Sequence, residues 1–82
     1  MLVQVTWEDI GSGVRMAIFD CPIAKAVTRA TGRSVSVGIH DVGFATEGSY
    51  KDFVRLPSEA IKFIKDFDTD VPVQPFEFEL GV

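Results

Sequence analysis

Cysteine is almost missing from this chain: Cys21 is the only one in 82 residues. No disulfide can therefore staple the fold internally, and a reducing, cytoplasmic setting is expected. No apolar run approaches the roughly 20 residues of a membrane span. Nor does a charged n-region with an apolar h-region and a cleavage site open the sequence, so neither a membrane anchor nor export is expected. Positive charge is short as well. Eight Lys and Arg face twelve Asp and Glu, a net charge of −4, which excludes general nucleic-acid binding, because that needs a clustered cationic surface. Internal repeats, linkers and low-complexity tracts are absent.

What is present suits one small domain. Eighty-two residues, 46% of them apolar, are enough for a single core and too few for two. Seven Phe, one Trp and one Tyr are generous for this length, and each aromatic removes roughly 150–250 Å² from water when buried. Hydrophobic gain and ordering entropy nearly cancel at this size, so a homo-oligomer is a natural way to widen the margin. Charge is unevenly spread. Residues 1–40 carry four cationic and three acidic side chains, and residues 41–82 carry four and nine. A local anion site in the first half stays open, beside an acidic second half.

The chain is organised around Asp20-Cys21-Pro22-Ile23-Ala24-Lys25-Ala26-Val27. Pro22 suits the first helical position, which places Cys21 at the N-cap. Ile23, Val27 and Ala30, widened by Ala24 and Ala26, form the buried stripe of a helix over 22–31, and Gly32 is its expected left-handed cap. Ahead of it, Met1 to Val5 reads as a short strand. Thr6 to Asp9 reads as a capping-box entry to a helical turn, with Trp7 and Ile10 facing the core. Val14 to Phe19 is ambiguous between loop and strand. Ser34 to Ile39 alternates and predicts a strand burying Val35, Val37 and Ile39, joined through His40-Asp41 to a partner at Val42 to Thr46. Glu47-Gly48-Ser49 turns the chain into a third strand, Tyr50 to Leu56. Pro57 at N1 opens a second helix over 57–67, with Ala60, Ile61, Ile64 and Phe67 inward and Phe63 at the edge. Pro75 to Leu80 alternates strictly, with Phe76, Phe78 and Leu80 inside, and Pro75 makes it an edge strand. The expected fold is α+β, a small antiparallel sheet of three to four strands packed against two helices.

Chemistry has few candidates. Cys21 at a helix N-terminus invites an activated thiol, but Asp20 opposes the shift and the only base is His40 on a turn, so a packed thiol is the simpler reading. His40-Asp41 is too few donors for a metal, and Asp66-Phe67-Asp68-Thr69-Asp70 lacks the glycine and glutamate of a calcium loop. Gly11-Ser12-Gly13-Val14-Arg15 offers backbone amides and a guanidinium to a phosphate without the Walker lysine or Rossmann spacing. Arg15, Lys25, Arg29 and Arg33 together are the candidate site for a small anionic ligand. Glu77 and Glu79 share the outer face of the last strand, as an edge guard or as an acidic row toward a basic partner. No catalytic, cofactor or metal residue is assigned.

Thr6 to Ile10, Cys21-Pro22-Ile23-Ala24, Leu56-Pro57 and Pro75-Phe76-Glu77-Phe78 together resemble a family of small uncharacterised proteins found mainly in bacteriophages and bacteria. The likeness spans nearly the whole chain through short motifs, and it implies origin and fold rather than mechanism. With the acidic second half, it leads to the expectation of a non-enzymatic phage-type accessory protein that binds a host protein in the host cytosol, as an inhibitor of bacterial defence. The alternatives are a homo-oligomer that binds or sequesters a nucleotide, and a structural protein.

Overall fold

A computed structural model describes all 82 residues. Along the chain run β1 (Leu2–Val5), α1 (Trp7–Ser12), α2 (Pro22–Thr31), β2 (Val35–Val37), β3 (Asp41–Thr46), β4 (Ser49–Arg55), α3 (Ser58–Asp68) and β5 (Phe76–Glu79). The class is α+β as expected, but the strands divide between two antiparallel sheets. One is the meander β2-β3-β4; the other is a ribbon in which β1 pairs with β5. The division has a packing cause. The inward residues of β1 and β5, Val3, Val5 and Phe78, join one apolar cluster with Val35, Val37, Val42 and Phe44 of the meander, and α2 packs against both β1 and β2. One helix thus bridges two small sheets.

Local chemistry sets the element ends. Thr6 and Asp9 close the expected capping box: the Asp9 amide donates to Thr6 Oγ1 at 3.2 Å and the Thr6 amide to Asp9 Oδ2 at 2.9 Å. Cys21 is the N-cap of α2, its sulfur accepting from the Ala24 amide at 3.4 Å, and Gly32 ends that helix at φ 72°. The turn between β3 and β4 is tighter than expected. Glu47 and Gly48, both at positive φ, link the paired Thr46 and Ser49, which is the two-residue geometry that matches strand twist.

Several expectations need correction. Trp7 is 65% exposed, because the inward arc of α1 centres between Asp9 and Ile10 and Trp7 lies past its rim. Ala30 is exposed in the last turn of α2, while Pro22, Ile23, Ala24, Ala26 and Val27 are buried. The strand ends at Val37, and Ile39 is 71% exposed: the Gly38 amide donates to Asp41 O, so Ile39-His40 forms the tight loop and Asp41 already belongs to β3. Pro57 is the N-cap of α3 rather than N1. On α3, Phe63 is central with Ala60, and Ile61, Ile64 and Phe67 are only half-buried. Phe63 earns that place by stacking on Phe76 of β5, ring centroids 4.9 Å apart.

Candidate functional site: an acidic strand edge and an aromatic sheet face

The ribbon leaves one backbone edge open. Met1 and Leu80 exchange both main-chain hydrogen bonds, Leu80 N to Met1 O at 2.8 Å and Met1 N to Leu80 O at 2.7 Å. In an antiparallel ladder such pairs alternate with pairs that share no hydrogen bond. Val3 with Phe78 and Val5 with Phe76 are therefore bonded pairs, while the amides and carbonyls of Gln4, Glu77 and Glu79 point away from the partner strand. On the β1 side the Arg29 guanidinium takes the Gln4 carbonyl at 2.7 Å. Nothing takes the Glu77 or Glu79 backbone on the β5 side. Both side chains are exposed on the outer face, Glu77 accepting from Gln4 Nε2 at 3.3 Å and Glu79 pairing with the Met1 amine at 3.2 Å. Edge and acid row thus coincide on four residues of β5.

The cations behave differently. Arg29 forks onto Asp9, 2.7 Å to Oδ1 and 2.8 Å to Oδ2. Burial of Asp9 would raise its pKa, but the Arg29 and Thr6 hydrogen bonds outweigh burial and hold the carboxyl below its usual 3.8. Arg15 pairs with Asp70. Arg33 lies over the Phe44 ring, 4.7 Å from its centroid, and reaches Ala45 O and Thr46 Oγ1. Lys25 makes no ion pair. Arg15, Arg29 and Arg33 each have their own acceptors and share none. The Gly13 amide, which a phosphate loop would need, donates to Asp9 O at 2.8 Å.

Cys21 is 6% exposed, and burial pushes its thiol pKa up despite helix amides that favour the thiolate. Its sulfur bonds to Ala24 N, and no hydrogen bond joins it to His40, which is exposed. A raised pKa and a covered sulfur make a poor nucleophile. Iodoacetamide should therefore leave the native protein unmodified while labelling Cys21 readily in urea, as intact mass would show. The three acids after α3's midpoint are each engaged, Asp66 by Lys62, Asp68 by the Met16 amide and Asp70 by Arg15. No group of three or more His, Cys, Asp or Glu side chains is placed to hold a metal ion.

A second surface escaped sequence reasoning. Four of the nine aromatics are exposed: Trp7, Phe19, Tyr50 and Phe53. Three of them gather on the outer face of the meander. Tyr50 pairs with Ala45, Phe19 approaches Tyr50 with ring centroids 5.3 Å apart, and Phe53 lies over Gly43, where an added Cβ would fall 2.5 Å from its ring. A bulge puts Phe53 there. Val42 pairs with Val54 and Phe44 with Lys51, so Asp52, at φ 55°, and Phe53 together oppose Gly43. The sequence signal was the broken alternation at Phe53-Val54.

Comparison of the chain with known protein families, with curated proteins and with solved structures finds no match in any of the three.

Proposed function

We propose that the protein is a non-catalytic binding protein whose β5 edge takes up an extended, basic segment of another protein as an added strand. One observation carries this reading: the outward amides and carbonyls of Glu77 and Glu79 are unpaired beside two exposed carboxylates. Strand addition draws affinity from main-chain hydrogen bonds and specificity from alternate side chains. Lys or Arg facing the Glu row would make favourable cross-strand pairs. A second copy of β5 would set Glu against Glu, so the partner is a different, cationic chain. The sequence resemblance to phage and bacterial proteins supports a host protein as that partner, and interference with bacterial defence as the consequence.

The nucleotide-binding alternative gains no comparable support, since Arg15, Arg29 and Arg33 each have partners within the fold.

The test is amide exchange on the protein with a partner captured from bacterial lysate. The Glu77 and Glu79 amides should slow at least about tenfold on binding, with affinity falling as salt rises. Glu77→Pro, which deletes an outward amide and no ladder bond, should abolish capture, as should Glu77→Lys with Glu79→Lys. Unchanged capture by both variants would end the proposal.

A further inference from the structure

We infer that the outer face of the β2-β3-β4 meander is a two-fold interface between copies of this chain. The observation is an aromatic surface laid on small residues: Phe19, Tyr50 and Phe53 are 51, 36 and 60% exposed over Gly43 and Ala45. A buried aromatic covers roughly 150–250 Å², so these three leave about 300 Å² of ring surface in water. The loop along the β2 edge, held by the Val37 amide on Ile18 O, sets Met16 and Ile18, with Ile39 on the adjoining turn, round a separate cleft walled by Cys21, Val37 and Ile64, and adds nothing to this face. The ring surface gives about 600 Å² for a pair, the size of a weak, concentration-dependent contact rather than a permanent one.

Charge selects a second copy over a foreign chain. A two-fold contact requires a patch that complements itself, residue i meeting j while j meets i. Asp41 and Arg55 are directly paired in register at one end of this face, and neither has an ion-pair partner within its chain. A half turn about an axis running along the strands between β3 and β4 sets Asp41 of one copy against Arg55 of the other, twice. Most of the molecule repels its like, since the net charge is −4; this face sets the opposite charges of Asp41 and Arg55 side by side at the end of an apolar centre. The β5 edge, with its two carboxylates, is left free on each copy.

Sedimentation equilibrium over a concentration series reads the outcome. The wild-type chain of 9.0 kDa should run as a dimer at high micromolar concentration and dissociate on dilution. Phe53→Asp should weaken association about 30-fold or more, with the far-UV spectrum unchanged; Tyr50→Ser, which uncovers no glycine, serves if Phe53→Asp does not fold. Asp41→Arg alone and Arg55→Asp alone put like charges across the axis and should each weaken the dimer about tenfold or more, whereas the double exchange restores it. A wild-type monomer throughout the series, or a dimer indifferent to both aromatic variants, overturns the inference. The Glu77 and Glu79 variants leave assembly unchanged, which separates this surface from the strand edge.

Discussion

Phe44→Ala should cost about 3–5 kcal/mol, the range for deleting a fully buried aromatic from a core that cannot collapse to fill the space. Phe44 is 1% exposed and sits in the central strand of the meander, bonded on both sides. It also supplies the ring under the Arg33 guanidinium, so the variant loses that cation–π contact as well. Stability for 82 residues is on the order of 4–12 kcal/mol. The substitution therefore removes from about a quarter to all of it. Urea titration followed by far-UV circular dichroism should show a midpoint far below wild type with an unchanged slope, and a change under about 1 kcal/mol would contradict this placement of the core.

Asp9→Ala should be nearly as damaging. It breaks the capping box of α1 and leaves Arg29, aimed at a partly covered site, without its carboxylate. A lost N-terminal box costs about 0.5–2 kcal/mol, and a broken buried pair about 3–5 kcal/mol when both groups are enclosed. Arg29 is half exposed and rehydrates, so the combined loss should be about 3 kcal/mol. The pH dependence follows from the lowered folded pKa of Asp9. The unfolded chain takes up the proton at a higher pH than the folded one. The contribution is thus complete above about 3.8 and disappears as pH falls through the folded value. Acid unfolding of the wild type should be steep below pH ~4, and Asp9→Asn should flatten that limb. Equal acid slopes in the two proteins would show the pair to be energetically idle.

Local signals carried most of what was legible beforehand. Thr6 with Asp9, Cys21 with Pro22, and Gly32 each act within four residues, and each ends its helix as their chemistry dictates. Alternation likewise gave the inward and outward faces of β5. What the sequence concealed depends on distant partners. Asp9 was visible as a capping residue, but its clasp on Arg29 spans twenty positions. The separation of the strands into two sheets depends on β1 finding β5 rather than the meander. The open edge at Glu77 and Glu79 is a property of that pairing, and no pattern within residues 75–80 encodes it. Phe53 was hidden for another reason. The bulge at Asp52 shifts the alternation by one residue, so a period-two reading of Tyr50 to Leu56 puts part of the strand on the wrong face.

The ribbon has a kinetic consequence. Residues 22–32 coil on themselves and residues 35–55 fold back on near neighbours, whereas β1 meets β5 only after ends more than seventy positions apart have found each other. Loop-closure entropy makes that meeting slow. The seam between the two chain ends is then the last to shut when the molecule refolds, so until it closes Val3, Val5 and Phe78 stay bare while α2 and the meander take shape.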